Sequence, residues 1–203
     1  LIWEHVKDPG YMDISRLMFR DMQALRDIGL DGTVNCQFSR CALPVGLPMY
    51  GMARALWDRR ADFDAVADEY FTAEFGEKGA AVRAYLEELT SLFHLPYMRA
   101  EMPERSPELL KTYDRIPAAI AAFRTANPEL QTDSACMAWR ALAVHADIVT
   151  MLSMLLSRCV CGLPFEDIVE SIRAYVKKTE LSVQPRFDGR SYVRQIVNRF
   201  LHK

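Results

Sequence analysis

The side chains with the most chemical potential in this 203-residue chain fall in two short runs. The first is Leu1-Ile2-Trp3-Glu4-His5, an apolar stretch ending in a carboxylate and an imidazole. The second runs from Thr33 to Arg40, where Thr33, Asn35, Gln37 and Ser39 alternate with Val34, Cys36 and Phe38. Side chains alternate along a strand, so this run predicts a strand with one apolar and one polar face. A strand covered by apolar helices ordinarily hides hydrophobes on both faces. A polar face there marks a lumen or a ligand site. Glu4, at the end of the first strand, has the position and chemistry of a general acid, base or nucleophile once burial and neighbours set its pKa. Asn35 and Gln37 both donate and accept, which suits sugar hydroxyls. Trp3 offers a ring for stacking, and His5 and Arg40 complete the substrate-binding set around a catalytic Glu4. Blander roles compete. Glu4 pairs with Lys7 or Arg40, His5 caps a strand end, and Asn35 and Gln37 satisfy backbone groups.

The elements that must position these residues follow from periodicity and punctuation. Leu1 to His5 reads as the end of a buried strand, and Lys7-Asp-Pro-Gly10 as a turn. Asp13 is placed to cap a helix carrying Ile14, Leu17, Met18, Met22, Leu25 and Ile28 at helical spacing, stopped by Gly29. The polar-faced strand, Thr33 to Phe38, comes next, and Pro48 opens an apolar helix. Strand, helix, strand, helix is a βαβα unit, whose natural home is a parallel sheet, open or closed into a barrel. After Asp58 only helices are expected. They run around 63–75, 82–93, 107–126 (kinked or split by Pro117 near Ile116), 133–161, 164–176 and 192–201, with Gly76, Pro96, Pro107, Asn127-Pro128 and Gly162 as punctuation. The division is therefore 1–58 for the strand–helix part and 59–203 for a helical region, in a mostly α chain with a small parallel β element.

Composition excludes some functions. Half of the residues are hydrophobic, a quarter are charged, and the net charge is −2, which does not make a nucleic-acid footprint. No run was expected to approach the roughly 18 apolar residues of a membrane span, the longest candidate being Ile148 to Leu156. Five cysteines, Cys36, Cys41, Cys136, Cys159 and Cys161, fit free thiols in a reducing, cytoplasmic compartment better than a disulfide framework. Cys159-Val-Cys161 is too tightly spaced for the usual metal or redox pair and reads as buried structural thiols. No metal site or cofactor is expected. Asp58, Asp62 and Asp64 read as helix-capping carboxylates rather than a cation cluster, and His145 as a core histidine.

The runs Asp27-Ile-Gly-Leu-Asp-Gly-Thr-Val, Leu47-Pro-Met-Tyr50, Ala55-Leu-Trp-Asp58, Asp68-Glu-Tyr-Phe71 and Phe75-Gly76 resemble domain-of-unknown-function family 4838. Its members are similar to (β/α)8-barrel glycoside hydrolases of the α-glucuronidase and hexosaminidase kind. The resemblance implies that Leu1–His5 is the seventh barrel strand, Asp13–Ile28 the seventh helix and Thr33–Phe38 the eighth strand, followed by a helical C-terminal bundle. It also implies that Glu4 matches the catalytic carboxylate at the end of a late strand. The chain then reads as the C-terminal part of a longer carbohydrate-active protein, inactive alone, with a carbohydrate substrate bound through its parent, no membrane or nucleic-acid partner, and homo-oligomers among its expected states. Two other readings stand beside it: a non-catalytic helical interaction module with exposed apolar faces, and a barrel that binds sugars without hydrolysing them.

Overall fold

The structure is a computed structural model that describes residues 7–34, 40–98 and 106–201. Its organising element follows from one stretch of sequence. Met137–Cys161 contains neither Gly nor Pro, and its apolar residues cover most of its circumference, leaving one narrow stripe at Arg140, Asp147, Met154 and Arg158. Such a helix has to be enclosed. Fifteen of its residues are buried, from Ala138 to Val160, and Gly162 ends it in the left-handed conformation at φ 68°.

Nine other helices occur among the described residues. In chain order the helices are α1 (Met12–Ala24), α2 (Leu47–Trp57), α3 (Phe63–Phe75), α4 (Gly79–Leu92), α5 (Leu95–Met98), α6 (Pro107–Tyr113), α7 (Ile116–Ala126), the central α8 (Met137–Cys161), α9 (Glu166–Thr179) and α10 (Gly189–Phe200). Of these, α3, α6, α7 and α9 pack directly on α8. One continuous core joins residues from Tyr11 to Phe200. A smaller cluster of Phe19, Ala55 and Val66 seals α1, α2 and α3 together. The helix α8 is long and apolar enough, by length and composition, to cross a membrane, which the reading of Ile148–Leu156 alone did not anticipate. Here its apolar sides are taken up by the surrounding helices.

The entry to α1 is built differently from the sequence expectation. Asp13 does not cap the helix but lies within its first turn, 3.6 Å from Arg16. The capping carboxylate is Asp8, which is buried. It accepts the Tyr11 and Ile14 N–H groups at 3.1 and 2.9 Å and the Thr90 hydroxyl of α4 at 2.9 Å. Thr90 in turn accepts the Met12 N–H at 3.3 Å. Gly10 allows this approach, because a Cβ there would collide with the Leu86 carbonyl and the Thr90 backbone. Gly79 does the same where α4 starts against the Phe71 carbonyl. The sequence signal for Asp8 was present in Asp-Pro-Gly, but read only as a turn.

Among the described residues there is no strand. Leu1–His5 and Asn35–Ser39 lie outside the described residues. Asp31–Val34 has no regular structure, and the Val34 side chain is 103% exposed. Among the described residues the one β-type contact is an isolated antiparallel bridge between Cys41 and Phe187, with Ala42 N–H donating to the Arg186 carbonyl at 2.8 Å. That contact ties the chain after Arg40 to the turn before α10. The expected mostly-α chain with a small parallel β element, ending a (β/α)8 barrel of the TIM type, is therefore corrected to an all-α fold. Polarity alternation marks a strand only if a ladder partner exists. The apolar faces here are consumed by helix-on-helix packing around α8. With the barrel goes the ground for the glycoside hydrolase and carbohydrate readings, which nothing in this architecture supports.

Burial raises the Asp8 pKa, against the lowering effect of the Ile14, Thr90 and Tyr11 hydrogen bonds and with a small push from Asp13. A carboxyl whose folded pKa lies above its unfolded value binds its proton more tightly in the native state. Its pH-dependent contribution is complete below about pH 3.9 and is lost as pH rises through the raised value. Asp8→Asn should flatten that part of the stability–pH curve measured by urea unfolding. Asp8→Ala leaves three donors short of an acceptor and should cost about 2–3 kcal/mol at constant pH.

Candidate functional site

Of the residues expected to bind or transform substrate, Trp3, Glu4, His5, Asn35 and Gln37 lie outside the described residues. Arg40 is described, and its side chain is engaged. Its Nε donates to the carbonyls of Gln184 and Phe187 at 3.0 and 2.9 Å, and its guanidinium pairs with Glu180. Glu180 also accepts the Gly189 N–H at 3.2 Å. Arg40 therefore clamps the turn between α9 and α10. Its own φ of +61° sits in the left-handed region. His145 is buried within α8. Asp62 caps α3 by accepting the Ala65 N–H at 2.9 Å, and Asp58 accepts the Arg60 N–H at 2.9 Å. Asp64 and Asp68 both pair with Arg83. The capping reading of this acidic group thus holds for Asp62, while Asp58 closes the turn after α2 and Asp64 pairs with an arginine. Among the described residues no His, Cys, Asp and Glu cluster could hold a metal ion. Cys41, Cys136, Cys159 and Cys161 form no disulfide with one another, and Cys161 is exposed rather than a buried structural thiol.

Two surface hollows carry charged side chains. The first, about 480 Å³, lies between α1 and α3 and is lined by Asp13, Arg16, Leu17, Arg20, Phe63, Asp64 and Leu95. Of its two guanidinium groups, that of Arg16 pairs with Glu87 and lies 5.3 Å over the Phe63 ring. Those contacts hold three helices together and leave little of the Arg16 charge for a ligand.

The second hollow, about 430 Å³, lies among α7, α8 and α9. Pro117, Ile120, Ala121 and Met151 form apolar walls, and Arg124, Asp147, Thr150 and Tyr175 supply polar groups. Arg124 Nη2 donates to Asp147 Oδ1 at 2.7 Å, and the Tyr175 hydroxyl donates to Asp147 Oδ2 at 2.5 Å. Helical spacing brings these groups together. Asp147 and Met151 are one turn apart on α8, as are Ile120 and Arg124 on α7. Tyr85 of α4 stacks on Phe123, with ring centroids 4.0 Å apart and planes at 8°. Its hydroxyl lies within the electrostatic reach of Arg124 and Asp147. The Tyr85 hydroxyl and Arg124 Nε are buried with no hydrogen-bond partner.

Burial is the main cause that raises both tyrosine pKa values. For Tyr85 the Arg124 charge opposes that rise and the Asp147 charge adds to it. For Tyr175 the hydrogen bond to Asp147 adds further. Both phenols therefore remain donors at neutral pH. The carboxylate is held by two donors, and two further polar atoms near it, the Tyr85 hydroxyl and Arg124 Nε, stay buried without a hydrogen-bond partner.

Sequence reasoning missed this group because its members come from four helices. The available signal was Asp147 itself, a carboxylate between Ala146 and Ile148 in an otherwise apolar run. Such a residue needs a partner when it is packed inside.

A third feature lies at the far end of α1 and α2. Phe19 packs with Ala55, and Gln23 Nε2 donates to the carbonyls of Arg59 and Ala61, both at 2.9 Å. Arg59 pairs with Asp27. The two helices therefore finish side by side. Ile28, Leu30, Leu56 and Trp57 are exposed at that joined end, Trp57 to 90%. The Leu30 N–H reaches the Leu25 carbonyl at 2.9 Å, as expected for a helix closed by Gly29, while its side chain stays exposed.

Removing the Tyr175 hydroxyl tests how firmly the Asp147 group is built. Tyr175→Phe deletes one hydrogen bond to a carboxylate in a half-buried setting and should cost about 1–2 kcal/mol in chemical denaturation. Tyr175→Phe in an Asp147→Ala background should cost clearly less, since the acceptor is already gone.

Comparison with protein-family models, with curated proteins and with solved structures finds no match for this chain, which neither supports nor opposes the resemblance drawn from its motifs.

Proposed function

We propose that the chain is a non-catalytic helical interaction module that pairs with a second copy of itself through the joined end of α1 and α2. The single observation that carries this reading is the group of exposed apolar side chains there: Ile28, Leu30, Leu56 and Trp57. Scattered exposed hydrophobes are ordinary, whereas several large ones gathered where two helices end form a contact surface. Tryptophan is the residue type that most often anchors such contacts.

The charges around this end favour a second copy as the occupant. Arg26 and Arg60 stand exposed beside Asp27, Asp31 and Asp58. A rim carrying both signs is complementary to its own image turned about a two-fold axis, whereas a rim of one sign would repel it. The internal supports of the surface are already in place. The Gln23 and Arg59 hydrogen bonds hold the two helix ends in fixed relation, so pairing would need little reordering.

Sedimentation velocity across a concentration series is the direct test. The chain should show a monomer–dimer equilibrium. Trp57→Asp should weaken it by at least about tenfold, while the unfolding midpoint stays near that of the parent because the side chain is exposed. A chain that stays monomeric at every concentration reached, or a dimer indifferent to Trp57→Asp, would remove this reading.

A further inference from the structure

We propose that the junction of α9 and α10 docks on the surface of an anionic lipid bilayer, with Lys177, Lys178, Arg190 and Arg194 at the headgroups and Leu181 entering between them. The self-pairing surface takes no part in it. Charge is spread unevenly along this chain. Between Arg173 and Lys203 the sequence carries eight Lys and Arg against two acidic residues, Glu180 and Asp188, although the whole chain has a net charge of −2. Two of those cations are spent, Arg173 on Glu170 at 3.3 Å and Arg186 on Glu74. Lys177, Lys178, Arg190 and Arg194 are exposed, and among the described residues none of the four has an ion-pair partner.

The fold brings these four together. On α9 the buried stripe is Ile168, Val169, Ile172 and Val176, and Lys177 and Lys178 lie outside it. Leu181 follows them by four and three residues in the tight turn Glu180–Val183, which continues the same helical side. On α10 Tyr192 and Ile196 are buried, while Arg190 and Arg194, one turn apart, are exposed. The two helices meet at Gly189. Its N–H donates to Glu180 at 3.2 Å, and a Cβ there would come within 2.5 Å of Val176 Cγ1. Lys177, Leu181 and Arg190 are the immediate chain neighbours of these contacting residues. Arg40, bonded to the Gln184 and Phe187 carbonyls and to Glu180, holds the junction in place.

Exposed cations alone would suit any polyanion, and Leu181 decides among them. Its side chain is 80% exposed beside the two lysines. A nucleic-acid backbone offers charge to the cations and nothing to a protruding leucine. Nor does α9 or α10, among the described residues, expose an aromatic ring on which bases would stack. A bilayer surface offers both partners, anionic headgroups for the Lys and Arg side chains and hydrocarbon just beneath for the leucine. The expectation of no membrane partner rested on span length, and a surface contact needs no span.

Cosedimentation with sucrose-loaded vesicles tests the contact. The chain should bind vesicles of phosphatidylcholine with about one-third phosphatidylserine at least about tenfold better than vesicles of phosphatidylcholine alone, and raised salt should release it. Each cation near an anionic surface strengthens binding about fivefold, so Lys177→Ala with Lys178→Ala, and Arg190→Ala with Arg194→Ala, should each weaken it by about tenfold or more. Leu181→Ser should weaken it by about fivefold. The same series in a Trp57→Asp chain removes any contribution of the apolar end of α1 and α2 and should give the same ratios. Circular dichroism checks that the variants remain folded, and the neutral-vesicle and salt comparisons need no variant. No binding to the anionic vesicles, or equal binding to the neutral ones, would overturn the proposal. So would either cation pair proving indifferent, since the four would then not share one surface. Binding untouched by Leu181→Ser, or lost from the vesicles to a single-stranded oligonucleotide at equal phosphate concentration, would mean a general polyanion surface instead of a lipid one.

Discussion

The whole fold depends on enclosing one helix. Met137–Cys161 is apolar on all but one narrow face, that of Arg140, Asp147, Met154 and Arg158, and leaving water against the rest of it is costly. Its companions are amphipathic and short, with α9 and α10 showing one buried stripe each. They gain burial chiefly from α8 and from one another. That hierarchy explains why a continuous core runs from Tyr11 to Phe200 across stretches the sequence suggested were separate in kind. It also explains why small residues recur on α8. Ala138, Ala141, Ala143 and Ala146 are all buried there and let neighbouring helices approach closely.

Polar groups inside such a bundle have to be provided for individually. Asp8 shows a fully provided case. Its two oxygens hold three donors, and the Gly10 backbone comes close enough to α4 for Thr90 to join. Tyr70 is similar. Its hydroxyl accepts the Gly46 N–H at 2.7 Å ahead of α2, and burial pushes its pKa up to about 12, so it stays protonated. The Arg124–Asp147–Tyr175 group is the contrasting case, with its carboxylate satisfied and two nearby donors left over. Unspent buried capacity of this kind is costly to stability.

The surface divides along the same logic. The ion pairs are mostly exposed and link neighbouring helices, as Arg83 does with Asp64 and Asp68, and each contributes little alone. The end of α1 and α2 differs because its exposed groups are apolar. Nothing in helix geometry demands a tryptophan at the last position of α2, where a polar residue would serve the helix equally well.

Most helix boundaries were legible from local chemistry. Gly29, Gly76 and Gly162 end helices with positive φ, Pro107 opens one, and Pro117 marks the break between α6 and α7. Such signals act within one turn, so the chain states them without reference to its fold. The stripe residues of α3, α4 and α9 were equally readable, since burial follows the helical period. What the residues could not state locally was pairing. The alternation beginning at Thr33 and Val34 fits a strand, yet a strand needs a ladder partner, and the β-type contact formed nearby joins Cys41 to Phe187. Asp8 was read as part of a turn because Thr90, its distant partner, lies 82 residues away. The Tyr85, Arg124, Asp147 and Tyr175 group shares no motif. It exists only because α8 draws three other helices together, and the tertiary structure alone decides which of their polar groups meet.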